Sequence, residues 1–135
     1  MAKFEIADEI TSENEGGYTD NPNDSGNWTG GKIGVGQLIG TKYGISAPVL
    51  SSNLKRVATL FDMQSLSHED AMAIRKKLYW DKVKGNEINN QNIANSIYDS
   101  AINMGVGTAI KLAQRAASID ETGIMDQKTL KALNG

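Results

Sequence analysis

The segment Glu13-Asn14-Glu15-Gly16-Gly17-Tyr18 sets two carboxylates before a pair of glycines, and Asp24 follows in Asn21-Pro22-Asn23-Asp24-Ser25-Gly26. These residue types suit acid–base chemistry. Helical periodicity places Glu15 in the last turn of a first helix, where backbone carbonyls present partial negative charge. A carboxyl there holds its proton longer, and partial burial acts in the same direction. A carboxyl protonated near neutral pH can donate to a departing oxygen. Gly16 and Gly17 leave room for a close approach. Asp24, on a polar loop, is expected to stay ionised and to orient a water or stabilise a cationic transition state. Thr29 offers a hydroxyl to the same water. One raised and one ordinary carboxyl are the minimal equipment for cleaving a glycosidic bond. Spacing alone is a weak signal, because surface charge and turn chemistry account for the same residues.

The elements that must position these groups follow from pattern. Residues 3–15 are predicted as a helix with Phe4, Ala7, Ile10 and Asn14 on one face and Ile6 beside it, ended by Gly16-Gly17. Residues 18–53 hold a large share of the glycines and both prolines, with many Asn, Asp, Ser and Thr. They read as an irregular polar lobe with a short hairpin near 33–45. Leu54, Val57, Ala58 and Phe61 mark a short helix. Ser67 with Asp70 forms a capping box for a longer one that buries Ile74 and Leu78. Residues 91–104 form the core helix, with Ile93, Ile97, Ala101 and Met104 at helical spacing. Gly105 and Gly107 interrupt it, Ile110, Ala113 and Ala117 continue in a further helix, and Asp126 caps a last one carrying Leu130 and Leu133. The expected class is α+β, predominantly helical, with a small glycine-rich irregular lobe after the first helix. A polar lobe facing a helical body is expected to form a cleft.

The 135 residues suit a single domain spanning 1–135. Without Cys, disulfides and thiol catalysis are excluded, and His68, the only histidine, has no nucleophile motif to serve. The net charge of −2 conceals an acidic start, in which Glu5, Asp8, Glu9, Glu13, Glu15, Asp20 and Asp24 face Lys3 alone. An acidic solvated helix and a cluster of carboxylates raising one another's pKa both fit that start. The balance gives no nucleic-acid footprint. No apolar run suits membrane insertion, and the N-terminus does not read as a secretory signal. The expectation is therefore cytoplasmic synthesis, with a monomer assumed and no metal or organic cofactor implied.

Taken together, Glu15-Gly16-Gly17-Tyr18, then Asn21-Pro22-Asn23-Asp24-Ser25-Gly26, then Thr41-Lys42-Tyr43-Gly44-Ile45-Ser46 resemble the N-terminal signature of glycoside hydrolase family 108. This family comprises lysozyme-like N-acetylmuramidases, including proteins of the secretion-activator type. The resemblance continues through Tyr79-Trp80-Asp81, the run 98–105, Leu112-Ala113-Gln114-Arg115, Gly123-Ile124-Met125 and Lys128-Thr129-Leu130. It implies a lysozyme-like fold and hydrolysis of the β-1,4 bond between N-acetylmuramic acid and N-acetylglucosamine in peptidoglycan. It implies that Glu15, and not Glu13, is the catalytic acid. The order Glu, Asp, Thr is similar to the catalytic triplet of phage-type lysozymes, which maps the second position onto Asp24. The third position maps onto Thr29, with Thr41 as the alternative across a glycine-rich insertion over 30–40. Residues 91–135 resemble the family's peptidoglycan-binding segment, with Glu121-Thr122-Gly123 where Asp-Gly is usual. The chain ends short of the final helices of typical members. Action on the cell wall after release or export is implied, as in a bacteriolytic phage endolysin. The rival is a non-catalytic peptidoglycan-binding or secretion-associated module that keeps the fold.

Tyr18, Trp28 and Tyr43 are candidates to stack on sugar rings, while Tyr79 and Trp80 read more readily as core. Asn103 can hydrogen-bond an acetamido group or serve as a buried amide at the Gly105 break. Arg75, Lys76, Lys77, Lys82 and Lys84 read as a solvated basic face, with anionic wall polymers as a possible contact. The Asn21-Asn23-Ser25 spacing imitates a calcium loop, but Lys32 stands where a bidentate Glu is required.

Overall fold

A computed structural model describes residues 1–12 and 17–135 of the chain. Glu13, Asn14, Glu15 and Gly16 lie outside the described residues. The chain divides into two compact units, one within Met1–Glu13 and Arg75–Gly135 and the other within Asn14–Ile74. They are called here the helical unit and the glycine-rich unit.

In the helical unit, α1 (Phe4–Ser12) packs against α5 (Gln91–Met104), which also carries α6 (Val106–Ala116). α7 (Gln127–Asn134) completes the unit. The face that α1 buries is Phe4, Ala7 and Asp8, the i, i+3, i+4 positions of one helical stripe. Ile6 and Ile10, expected to be inward or flanking, are exposed instead. The expected stripe is displaced because Asp8 has a partner that makes its burial tolerable. Arg75, expected on a solvated basic face, is buried and clamps Asp8 with Nε to Oδ1 at 2.7 Å and Nη2 to Oδ2 at 3.1 Å. The Tyr98 hydroxyl donates to the same Oδ1 at 2.7 Å. A buried charge persists where its lone pairs are met in this way. Burial and the adjacent Asp8 carboxylate push the Tyr98 hydroxyl far above its ordinary value.

Beside this cluster, Phe4, Trp80 and Tyr98 meet edge to face with centroids 5.6 to 5.8 Å apart. Trp80 is therefore core and unavailable to a sugar. It lies at the end of a π-helical turn, Lys76–Trp80, that follows α4 (His68–Arg75) directly. Leu78, expected to be buried, is only half-buried on that turn. α5 matches the sequence expectation, with Asn90 as N-cap, although Met104 is exposed at its end. Asp126 caps α7 as expected.

The glycine-rich unit holds a two-stranded antiparallel sheet, β1 (Tyr18–Thr19) and β2 (Thr41–Lys42), with Tyr18 opposite Lys42 and Thr19 opposite Thr41. The hairpin expected near 33–45 is displaced. Its bonds run between 28–30 and 35–38, through Thr29 N–H to Gln37 O, Gly30 N–H to Val35 O and a bridge pairing Trp28 with Leu38. Gly36 (φ 83°) sits beside Thr29, where a Cβ would come within 2.2 Å of Thr29 Oγ1. Two helices depart from expectation. α2 (Ala47–Leu54) stands where an irregular stretch was expected, with Ser46 at its N-cap and Pro48 in its first turn. The helix expected over 54–61 is instead the break between α2 and α3 (Leu60–Gln64), because Lys55 turns left-handed (φ 59°) and Thr59 opens a new cap. Val57 and Phe61 are accordingly exposed. The Ser67–Asp70 capping box forms reciprocally at the start of α4. Among the described residues no helix is long and apolar enough to cross a membrane.

Candidate active site

The loop carrying Asp24 is built by its own side chains. Asn21 Oδ1 accepts from Asn23 N–H at 3.0 Å, and Asn21 O accepts from Asp24 N–H at 3.1 Å, closing a turn around Pro22. Asp24 then caps a 3₁₀ turn, Ser25–Asn27, with Oδ1 accepting from Gly26 N–H at 2.9 Å. The carboxylate is exposed, and its second oxygen makes no hydrogen bond among the described residues. One oxygen is thus fixed and the other is presented to solvent.

Two neighbours hold this loop in place. Trp28, half-buried, donates its indole N–H to Pro22 O at 2.9 Å. Asn27, 0 % exposed, donates Nδ2–H to Asn21 O at 3.0 Å. The Trp28 nitrogen is therefore spent on the fold, and a sugar could meet only the ring. Asn27 is a residue that sequence reasoning missed. In a stretch full of Asn, Gly and Ser it looks like another turn former, and its place between Gly26 and Trp28 is the only cue.

The two threonines differ. Thr29 Oγ1 accepts from Gln37 N–H at 2.8 Å, inside the glycine-rich hairpin. Thr41, on β2, donates its hydroxyl to Asn27 Oδ1 at 2.6 Å and lies 3.4 Å from Gly26 O. Thr41 therefore reaches the same residue, Gly26, whose N–H binds Asp24.

The other candidates fall as follows. Tyr18 is half-buried and donates its hydroxyl to Ile39 O at 2.9 Å. Burial, then the charge of Asp20, raises its pKa. Its ring lies against Gly40 (φ 88°), where a Cβ would collide with it. Tyr43 occupies a left-handed position (φ 51°), meets His68 edge to face at 5.4 Å, and has Lys42 Nζ 5.5 Å from its ring centroid. Tyr18, Asp24, Trp28, Thr29, Thr41 and Tyr43 all belong to the glycine-rich unit. Asn103 belongs to the helical unit, on an exposed face of α5, with Nδ2–H donated to Asp99 O at 3.0 Å. It is not a buried amide. Glu15, the expected acid, lies outside the described residues. Among the described residues no three His, Cys, Asp or Glu side chains group as metal ligands.

This arrangement presents one carboxylate oxygen of Asp24 to solvent beside a loop fixed by buried polar bonds. A comparison with curated protein sequences gives no match. Among solved structures, Brucella abortus SagA is similar with a TM-score of 0.78 at 29 % identity, over 96 % of this chain and 67 % of that one. The expected lysozyme-like α+β class, predominantly helical with a small sheet, is the one found. The glycosyl hydrolase 108 family model matches residues 9–105, a stretch that contains Glu15, Asp24 and both threonines. Matched over more than half its length, this chain belongs to glycosyl hydrolase family 108.

Proposed function

We propose that this chain is an N-acetylmuramidase, cleaving the β-1,4 bond between N-acetylmuramic acid and N-acetylglucosamine in peptidoglycan. Family membership supports glycoside hydrolysis with peptidoglycan as substrate. The observation that carries the finer reading is the Asp24 turn, which offers solvent one free carboxylate oxygen while Thr41 reaches the same Gly26. Glu15 is the general acid that protonates the leaving oxygen. Asp24 and a threonine hydroxyl hold the water that attacks the opposite face of the sugar, which gives inversion. Thr41 takes the third position, supported by its bond into the Asp24 loop. Thr29 is the other candidate, and its hydroxyl accepts from the hairpin backbone instead. Tyr18, Trp28 and Tyr43 present rings to the sugars. Asn103, on the exposed face of α5, is a separate candidate to bond an acetamido group.

The test is clearing of purified cell walls, followed by borohydride reduction to identify the new reducing end. Wild type should clear walls and release reducible N-acetylmuramic acid. Glu15→Gln and Asp24→Asn should each lower the rate by about 100-fold or more. Thr41→Val should cost more than Thr29→Val. Equal clearing by wild type and Glu15→Gln would overturn the role of Glu15. No clearing by wild type, with wall binding intact, would identify a non-catalytic peptidoglycan-binding module.

A further inference from the structure

Asn27 carries consequences beyond holding a loop. Its carboxamide lies between two groups that fix which end is which. Asn21 O can only accept, so the end 3.0 Å from it is the NH₂. The opposite end is then the carbonyl oxygen, which can only accept. The Thr41 hydroxyl, 2.6 Å away, must donate to it. The other group near Thr41 Oγ1, Gly26 O at 3.4 Å, is also an acceptor and cannot reverse that direction. Thr41 is left with lone pairs alone to offer a third party.

We propose that Asn27 is a positioning residue that locks the Thr41 hydroxyl as an acceptor while bracing the Asp24 turn. A water facing both Thr41 and the free Asp24 oxygen then meets two acceptors. It donates both protons to them and presents a lone pair to the anomeric carbon. A freely rotating threonine hydroxyl would instead donate to the water in part of its population and engage that lone pair. The backbone of Asn27 strengthens the brace, because its N–H donates to Asp24 O and its carbonyl accepts from both Ile39 and Gly40 N–H. This role rests on the proposed hydrolytic reading, in which Asp24 and Thr41 hold the nucleophilic water.

The test is steady-state hydrolysis of soluble, uncrosslinked glycan strands by purified, folded variants, with melting temperatures recorded alongside. Asn27→Leu removes both ends of the amide. It should lower kcat by about tenfold or more with KM within about twofold, since the interaction concerns the attacking water and not sugar binding. Asn27→Leu combined with Thr41→Val should be little slower than Thr41→Val alone, because both changes remove one device. Thr41→Ser should retain most of kcat. Asn27→Asp supplies a second, independent readout if the leucine variant fails to fold. Protonated, the introduced carboxyl can still donate to Asn21 O and accept from Thr41. Ionised, it still accepts from Thr41 but sets a carboxylate against Asn21 O, so the brace on the Asp24 turn is lost and kcat should fall as that carboxyl ionises. Multiplying losses in the Asn27→Leu, Thr41→Val pair would overturn the proposal, as would a pH profile of Asn27→Asp identical to wild type. If Asp24→Asn also keeps full activity, the assignment of the nucleophilic water to Asp24 and Thr41 fails. If Asp24→Asn is inactive while the losses multiply, only the role of Asn27 fails.

Discussion

Asn27 in the glycine-rich unit and Gln114 in the helical unit are both buried carboxamides that bind at each end. Gln114 Nε2–H has Thr122 Oγ1, Thr129 Oγ1 and Ile124 O at 2.9 to 3.1 Å, and its Oε1 accepts from Gly123 N–H at 3.0 Å. Each amide thus ties down an irregular stretch. They differ in what they stand on. Gln114 projects from α6, whose backbone bonds persist without it. Asn27 ends a 3₁₀ turn of three residues, and its backbone and side chain serve the same loop. The helical unit also has a second device, the buried Asp8–Arg75–Tyr98 cluster. The ion pair of the glycine-rich unit among the described residues, Arg56–Asp62, is exposed at its arginine. A unit rich in regular helix can afford an ionised cluster under aromatic rings. A unit of turns depends on neutral bonds whose directions are fixed one by one.

The largest effect expected from this contrast is on the charged cluster. Arg75→Met should destabilise the fold by about 3–5 kcal/mol, because it leaves the Asp8 carboxylate buried without its cation. Urea melts measure this. Replacing both partners, Asp8→Leu with Arg75→Met, should cost less than Arg75→Met alone, since no charge is then stranded. A double variant as unstable as the sum of the two singles would contradict that account.

The helical unit was the more legible in sequence because its signals are local. Asp126 stands at a cap, and Ile97 and Ala101 repeat at the helical period. Asp8 and Arg75 escaped because each is ordinary in its own segment, and only a contact across 67 positions makes them core. In the glycine-rich unit α2 was hidden by the turn-forming residues around it, although Ser46 and Pro48 carry its start. Asp24 was legible as a loop carboxylate. The partner of Thr41 was not, because an asparagine among asparagines carries no sign of which one is buried. The family motif pointed to Glu15 and, less directly, to Thr29; that Thr29 bonds within the hairpin while Thr41 bonds Asn27 was hidden by the insertion between them.

The next effect compares the two amides directly. Gln114→Leu and Asn27→Leu each strand buried polar partners, and each should cost about 1–3 kcal/mol. Asn27→Leu should lie at the upper end, because the three-residue turn has less regular backbone structure to fall back on. Equal melting midpoints for the two variants would remove the distinction drawn here between an amide on a helix and an amide in a loop. The effect of Gln114→Leu should also show as faster amide exchange at Gly123, whose N–H it binds.

The smallest effect concerns two capping carboxylates at the surface, one in each unit. Asp62 completes a reciprocal box with Thr59 at the start of α3, and Arg56 clamps it with two bonds at 2.7 and 3.0 Å. Asp126 caps α7 by accepting from the hydroxyl and N–H of Thr129. Both carboxyls are held below their ordinary value of 3.8. Arg56 is the main cause for Asp62, followed by Thr59 N–H, and the Thr129 hydroxyl and then its N–H are the causes for Asp126. A lowered folded pKa means that the stabilisation is present above the ordinary value and is lost as pH falls through the folded one. Asp62 is pushed the further because the Arg56 guanidinium hydrogen-bonds it in addition to Thr59, so on acidification the α7 cap should be lost before the α3 cap. The amide signals of Thr129 and Asp62 measure this, with the Thr129 midpoint at the higher pH. Arg56→Gln should bring the Asp62 midpoint up towards that of Asp126, because each carboxylate would then rely on its threonine. Unchanged separation in that variant would mean that the backbone, and not the arginine, sets the difference between the two caps.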